Sequence, residues 1–84
     1  SFGSLVELGI IKPGTSLFDP KKKINAKIMA DGSLKYKDTE GSIHKIAAKI
    51  MGAESYNGWT YWHYKLNGST VLIDNLRQKF IAEK

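Results

Sequence analysis

The segment from Ile24 to Ala30 alternates apolar and polar side chains and is followed directly by Asp31-Gly32. A period of two is typical of a β-strand with one covered face, and an Asp-Gly pair is typical of a hairpin turn. A two-residue loop would mix the two faces of the hairpin. A three-residue loop over residues 30–32 places Ile28 opposite Leu34 and keeps the faces separate. The sequence therefore predicts an antiparallel hairpin with a three-residue loop, whose glycine takes the positive φ.

The register of this hairpin predicts a basic surface. It turns four lysines away from the core: Lys23, Lys27, Lys35 and Lys37. The run Lys21-Lys22-Lys23 stands at the start of the hairpin, and the chain has 13 Lys and Arg against 8 Asp and Glu, a net charge of +5. Such a surplus favours polyanionic partners such as nucleic acid. A lysine run is equally compatible with a solvated loop that binds nothing, so charge alone leaves both interpretations open.

The segment from Ser42 to Met51 has the clearest helical pattern. Ser42 is a good N-cap and Gly52 is a good C-terminal stop. Between them runs an apolar stripe at helical spacing: Ile43, Ile46, Ala47 and Ile50. The spacing predicts one amphipathic helix with this stripe on the core.

A shorter helix is expected near the N-terminus. Ser4-Leu5-Val6-Glu7 matches a capping box, in which the Ser4 hydroxyl and the Glu7 carboxylate satisfy each other's backbone amides. Gly9 suits the left-handed end of such a helix. Lys12-Pro13-Gly14 then predicts a turn, and Leu17-Phe18 begins an extended segment.

The C-terminal part predicts a second hairpin and a last helix. The aromatic segment from Trp59 to Leu66 is typical of a strand, Asn67-Gly68 of a two-residue turn, and Thr70 to Ile73 of the return strand. This register pairs Tyr64 with Val71. A helix follows at about Asp74 to Ala82, with Leu76 and Phe80 turned inward.

Length and composition limit the possible fold classes. The 84 residues suffice for one domain, taken as residues 1–84, and the missing initiator methionine indicates a piece of a longer protein. The absence of cysteine excludes disulfides and thiolate zinc sites. No apolar run is long enough for a membrane span. The order of elements predicts an α+β fold, a small single domain with antiparallel β-hairpins and three helices packed on one side.

No catalytic arrangement stands out. Ser42 and His44 are two positions apart on a helix and point to different sides. Asp38 and Glu40 are paired carboxylates in a stretch that resembles a turn, and no glycine-rich phosphate loop is present. Two histidines are too few for a metal site without carboxylates. We expect no independent enzymatic activity, no metal and no cofactor in this chain.

The start of the second helix is a candidate anion site. A helix leaves its first backbone amides without partners and carries a partial positive charge there. The first turn reads Ile43-His44-Lys45, with a cation where an acid would stabilise an isolated helix. A bound phosphate would be favoured by the amides, the Ser42 hydroxyl and Lys45 together. The alternative is that Ser42 is only a helix cap and Lys45 only a solvated lysine.

The aromatic segment allows two interpretations. As a strand, it would place Trp59, Tyr61 and His63 on one face, with Trp62 and Tyr64 on the other. If one face is open, the first three side chains are available to sugars, bases or a partner domain. If both faces are covered, all of these rings belong to the core.

Several segments in order resemble a known family. The chain looks like the RAMA domain, the restriction-enzyme and adenine-methylase associated module. More closely, it resembles the C-terminal domain of cell-cycle-regulated DNA adenine methyltransferases, which methylate GANTC. The matching segments are LVELGIIKPG (Leu5 to Gly14), MADGSL (Met29 to Leu34), GSIHKIAAKIMGA (Gly41 to Ala53), NGWTYWHY (Asn57 to Tyr64) and IDNLR (Ile73 to Arg77).

The resemblance implies a bacterial, cytoplasmic parent enzyme. That enzyme would transfer a methyl group from S-adenosylmethionine to adenine N6, with its catalytic domain preceding this chain. The catalytic signatures DPPY and FxGxG are absent here, since Phe18-Asp19-Pro20 is followed by Lys21. The family motif carries over to Ser42, Asn57 and Trp59. The implied partners are double-stranded DNA and the catalytic domain of the same chain, with homodimerisation of the parent and no membrane.

The resulting hypothesis is an accessory domain that binds duplex DNA mainly through phosphates, which carry little sequence information. GANTC recognition is not assigned to this domain alone. The candidate nucleic-acid-binding residues are Lys21, Lys22, Lys23, Ser42, His44, Lys45, Asn57, Trp59, His63 and Arg77. The main alternative is a protein-interaction module that docks on the catalytic domain or supports dimerisation. A further alternative is a single-strand binder with stacked aromatic side chains.

Overall fold

The computed structural model describes residues 2–82, with side chains up to Ile81. Its helices are α1 (Phe2–Glu7), α2 (Ile43–Met51) and α3 (Asp74–Ala82), with a 3₁₀ turn at Gly58–Thr60. Its strands are β1 (Ser16–Phe18), β2 (Asn25–Ile28), β3 (Leu34–Tyr36), β4 (Thr39–Gly41), β5 (His63–Leu66) and β6 (Ser69–Leu72). The α+β class with antiparallel strands and three helices is confirmed.

All six strands form one antiparallel sheet in the order β4-β3-β2-β1-β5-β6. One face of the sheet is buried, through Leu17, Ala26, Ile28 and Leu34. All three helices contribute side chains to the same hydrophobic core, and α2 lies against β3 and β4. The helices therefore cover one face of the sheet, as expected, and leave the other face open.

The first predicted hairpin is confirmed in its register. Ile28 pairs with Leu34, and Lys27 pairs with Lys35. The amide of Met29 donates to the carbonyl of Ser33 at 2.8 Å, so the loop comprises residues 30–32. Gly32 has a φ of +86°, the left-handed conformation that the loop requires. All four lysines assigned to the outer face are exposed: Lys23, Lys27, Lys35 and Lys37.

The second hairpin and α3 also match the sequence. Tyr64 pairs with Val71, and the turn residues Asn67 and Gly68 have φ values of 51° and 85°. Two consecutive positive φ values are typical of the mirror-image turn whose twist matches that of the flanking strands. Leu76 and Phe80 of α3 pack against the core, as expected.

Three local predictions are wrong. Ser4 lies inside α1, which includes Phe2 and Gly3, so Ser4-Glu7 is not a capping box at the start of the helix. The turn predicted for Asp38 and Glu40 is present at Asp38 but not at Glu40, because residues 39–41 form β4. There Glu40 pairs with Lys35, which gives the edge of β3 hydrogen-bonding partners. The turn before β4 is unusual in using Lys37 at a φ of 56°.

The aromatic segment is the third wrong prediction. The strand begins only at His63, and Gly58–Thr60 is a 3₁₀ turn. Asn57 caps this turn, since its Oδ1 accepts from the amide of Trp59 at 3.0 Å. Local side-chain hydrogen bonding of this kind competes with strand formation. Trp59, Tyr61 and His63 consequently do not share one face of a strand.

Candidate nucleic-acid interface

The N-terminal end of α2 has the features expected of an anion site. Ser42 is the N-cap, and its Oγ accepts from the amide of Lys45 at 3.0 Å. The amides of Ile43 and His44 stand in the first turn, where an α-helix supplies no intrahelical acceptor. No acid lies in this turn, and the side chains of Ser42, His44 and Lys45 are exposed. The partial positive charge at this end of α2 is therefore not neutralised by an acid within the first turn.

His44 is oriented by the 3₁₀ turn. Its Nδ1 accepts a hydrogen bond from the amide of Gly58 at 2.9 Å. A ring nitrogen that accepts a backbone N–H carries no proton, so the neutral imidazole has its hydrogen on Nε2. The exposed ring thus presents a fixed N–H donor next to Ser42, which suits an acceptor such as a phosphate oxygen.

Two further contacts hold the 3₁₀ turn on the start of α2. The indole Nε1 of Trp62 donates to the carbonyl of Ile43 at 2.9 Å, and the Trp62 side chain is fully buried. A Cβ on Gly58 would lie 2.6 Å from the Ile43 carbonyl oxygen, so only glycine permits this approach. The turn and the helix start therefore form one rigid unit.

Arg77 reaches the same region from α3. Its guanidinium carbon lies 4.7 Å from the centre of the Trp59 ring, and its Nη2 lies 2.6 Å from Oδ1 of Asp74. Phe2 meets the Trp59 ring edge-on, with the ring centres 6.0 Å apart. Trp59 is only 7% exposed and Tyr61 only 4%, so of the two interpretations left open for these rings the one that places them in the core is correct. Trp59 supports Arg77 rather than offering a free ring to a base.

Two depressions adjoin the start of α2, and Ser42 and His44 line both. The larger, of about 460 Å³, extends past Lys45 and Lys49 towards Glu54 and Tyr56. The smaller, of about 190 Å³, has further lining from Phe2, Gly3, Gly32, Ile43 and Trp59. Ser42 and His44 are thus exposed between two concave surfaces.

Six of the ten predicted site residues meet in this region: Ser42, His44, Lys45, Asn57, Trp59 and Arg77. We call this group the helix-start site. The structure thus places the motif segments around residues 42–45 and 57–59 next to each other. The other four predicted residues lie elsewhere.

The three lysines of the basic run lie in a separate loop. Lys21 borders a depression with Ile50 and Met51, at the C-terminal end of α2. A helix of nine residues is roughly 13 Å long, so this loop is remote from Ser42. Buried Asp19 organises the loop, because its Oδ1 accepts from the amide of Ile24 at 2.7 Å and its carbonyl from the amide of Lys22 at 3.0 Å. Lys21, Lys22 and Lys23 are all exposed.

His63 lies on the sheet. It pairs with Phe18 of β1 and with Leu72 of β6, and it is half-buried. Its Nδ1 is 3.0 Å from the carbonyl oxygen of Tyr61 and donates to it. His63 is therefore on the open face of the sheet and outside the helix-start site.

Sequence reasoning missed two features of these surfaces. Gly58 contacts the backbone of α2. No local sequence pattern indicates which segment of the chain a glycine will approach. Phe18 lies beside His63 on the open sheet face, although 45 positions separate them. The alternation of Leu17 and Phe18 was the only available signal for the outward direction of Phe18.

Residues 2–82 contain no candidate metal site and no candidate membrane-spanning helix. No three His, Cys, Asp or Glu side chains lie together in a way that could hold a metal ion. None of the described helices combines the length and apolar character needed to cross a membrane.

Comparison with known proteins gives a consistent assignment. The family model RAMA, Restriction Enzyme Adenine Methylase Associated, matches residues 1–84. The chain is also similar to the type II methyltransferase M.HinfI of Haemophilus influenzae, with 30% identity over 77 residues. This match covers 92% of the chain and 21% of that relative, so the chain spans about a fifth of the length of the methyltransferase it matches. The chain belongs to the RAMA family of domains associated with restriction enzymes and adenine methylases.

Proposed function

We propose that this RAMA domain is a non-catalytic accessory domain of a DNA adenine-N6 methyltransferase and that it binds duplex DNA through backbone phosphates. The observation that carries the proposal is the helix-start site. There the cap of α2, the fixed Nε2–H of His44 and the side chain of Lys45 are exposed together. Phosphate groups bind favourably at helix N-termini with such donors.

Charge supports a polyanion as the ligand. The first turn of α2 lacks an acid, and the chain as a whole has a net charge of +5. The lysine loop at the other end of α2 supplies three more exposed cations. A DNA backbone that runs along α2 would meet both ends of the helix, and each neutralised phosphate would release counterions.

The similarity to a type II methyltransferase supports a proposal for the activity of the whole protein. A catalytic domain elsewhere in the parent chain would bind S-adenosylmethionine and methylate adenine, and the resemblance to cell-cycle-regulated enzymes favours GANTC as the target. The accessory domain would raise the local concentration of DNA at that catalytic domain. Contacts to phosphates position a protein on DNA without specifying the sequence, so the target choice belongs to the catalytic domain.

A salt-dependent DNA titration tests the helix-start site. We expect Lys45→Ala to weaken duplex binding and to reduce the slope of log K against log salt concentration by about 1, because one phosphate contact is lost. The measurement is fluorescence anisotropy of a labelled duplex at several salt concentrations. Lys79→Ala is the matched control, since Lys79 is an exposed lysine on α3 whose depression contains none of the helix-start residues.

Amide chemical shifts locate the contact in the same titration. Shifts around residues 41–45 and 57–59 support the proposal. If duplex DNA does not bind at low salt, or if Lys45→Ala and Lys79→Ala have equal effects, the proposal is wrong.

A second candidate function has its own structural basis. An apolar depression of about 510 Å³ lies between α3 and the β5–β6 hairpin. Ile10 and Leu66, which line it, are 39% and 50% exposed, and Leu8 and Ile81 are 61% and 57% exposed. Exposed apolar patches of this kind favour a protein partner, here the catalytic domain of the same chain.

The docking function is tested with the intact methyltransferase. We expect Leu66→Ser to loosen the association of the two domains and to expose the linker between them to limited proteolysis. Lys79→Ala, on the polar rim of the same depression, is the control. Equal cleavage rates in the wild-type protein and the Leu66→Ser variant would exclude docking at this depression.

A further inference from the structure

The open face of the sheet carries a continuous row of side chains. Strand register places Asn25 beside Phe18, Phe18 beside His63, and His63 beside Leu72. The row therefore crosses four strands, and adjacent strands are about 4.8 Å apart, which gives a length of roughly 14 Å. Phe18, His63 and Leu72 are half-buried, and Asn25 is exposed.

Cations flank this row on the same face. Lys27 and Lys35 pair across β2 and β3, and Lys65 follows His63 by two positions on β5. The Nζ of Lys65 lies 5.8 Å from the centre of the Phe18 ring. One acid is part of the face, Glu40, which pairs with Lys35. The three lysines outnumber it, so the face is cationic around an aromatic centre.

The two aromatic side chains at the centre are held in place. Phe18 and His63 are direct cross-strand neighbours on β1 and β5, neither of which is an edge strand. The hydrogen bond from Nδ1 of His63 to the carbonyl of Tyr61 fixes the imidazole ring. Rings that are already ordered lose little conformational entropy when a planar ligand stacks on them.

We propose that this face, defined by Phe18, His63, Lys27, Lys35 and Lys65, binds a single-stranded polynucleotide. Unpaired bases stack on Phe18 and His63, while the three lysines contact the phosphates. A row of roughly 14 Å accommodates two or three nucleotides, the number that an aromatic β-sheet surface holds in other nucleic-acid-binding folds. Every base has a π-face, so this binding is tolerant of sequence.

The chemistry of the face favours an unpaired strand over a duplex. Rings on a flat sheet cannot reach the faces of bases that are stacked inside a double helix, whereas a single strand exposes them. The helix-start site, by contrast, offers N–H donors and a cation, and its Trp59 ring is buried. The two surfaces are distinct, so the single-strand site does not depend on the function proposed above.

The test compares two variants on two ligands. Labelled oligothymidylate and oligouridylate of about twelve nucleotides, and a duplex, are titrated into the 84-residue domain, with fluorescence anisotropy as the readout. We expect Phe18→Ala to weaken binding of the single strands roughly tenfold and to leave duplex binding unchanged. Phe18→Tyr, which keeps a ring, should retain the affinity. Lys45→Ala should weaken duplex binding alone.

The two single strands distinguish the source of the ligand. Tighter binding of oligothymidylate indicates an unpaired DNA strand, and tighter binding of oligouridylate indicates RNA. Both outcomes support the site. Thermal unfolding of each variant establishes that the fold is intact, which is expected because Phe18 points away from the buried face of the sheet.

The proposal is overturned by either of two results. One is that neither single strand binds at low salt. The other is that Phe18→Ala and Phe18→Tyr bind single strands as tightly as the wild-type protein does. If Lys45→Ala then weakens duplex binding and nothing else, the helix-start proposal still holds without the single-strand site.

Discussion

Gly58→Ala is expected to destabilise the domain by about 3 kcal/mol, since forcing extra atoms into a packed interior typically costs 1–3 kcal/mol or somewhat more. The added Cβ would lie 2.6 Å from both the carbonyl carbon and the carbonyl oxygen of Ile43 and 2.8 Å from its Cγ1. Two of these atoms belong to the backbone of α2, which cannot rotate away. The turn must therefore move off the helix, and the hydrogen bond from the Gly58 amide to His44 is lost with it.

Gly41→Ala is the matched control. Its Cβ would meet only the side chain of Lys45, with Cδ at 3.0 Å, and this flexible chain can turn away. We expect a change within about 1 kcal/mol, because the substitution is near the surface and in a strand. Urea unfolding followed by circular dichroism measures both variants. Equal destabilisation of the two would show that the contact of Gly58 with Ile43 is not the cause.

Trp62→Ala is expected to lower the free energy of unfolding by about 3–5 kcal/mol, the usual range for removing a buried large aromatic side chain. Trp62 is fully buried, and its ring meets that of Tyr61 edge-on at 4.9 Å between ring centres. Trp62→Phe keeps most of the packing but loses the donor to the carbonyl of Ile43. We expect Trp62→Phe to lower the free energy of unfolding by about 1–2 kcal/mol in addition to the effect of its smaller side chain, because the carbonyl loses one partner.

The control for Trp62 is Tyr56→Ala in the same aromatic cluster. Tyr56 is 38% exposed and meets Tyr61 edge-on at 5.6 Å. An exposed ring of this kind should contribute only about 1 kcal/mol to the free energy of unfolding. Chemical denaturation gives the three free energies of unfolding. If Trp62→Ala were no more destabilising than Tyr56→Ala, Trp62 would not be the central support of the helix-start site.

Much of the fold was predictable because its signals are local. The Ser42 cap, the Gly52 stop and the Asn67-Gly68 turn depend on residues a few positions apart, and each occurs where the sequence predicts it. The union of the two hairpins in one sheet was not predictable. It depends on the pairing of Phe18 with His63, and no turn or period links positions so far apart.

The helix-start site was predictable in part. The anion-binding character of Ser42 and Lys45 follows from helix chemistry, whereas their contact with residues 57–59 required a tertiary structure. Trp59 was wrongly placed on a strand because aromatic residues favour strands in general. Its burial results from Phe2 and Arg77, which approach from the two terminal helices. The lysine loop was listed with Ser42 and Lys45 because both segments carry lysines, and no sequence signal indicates that they lie at opposite ends of α2.

The position of Trp62 has a practical consequence for studies of ligand binding. The chain contains two tryptophans; one donates to the first carbonyl of α2, and the other lines a depression with Ser42 and His44. Indole emission depends on the local electric field, so the two tryptophans can report binding at the helix-start site. Neither tryptophan lies on the open sheet face. Binding at the helix-start site can accordingly be followed by tryptophan emission in unlabelled material, whereas binding at the open sheet face is expected to leave that emission unchanged.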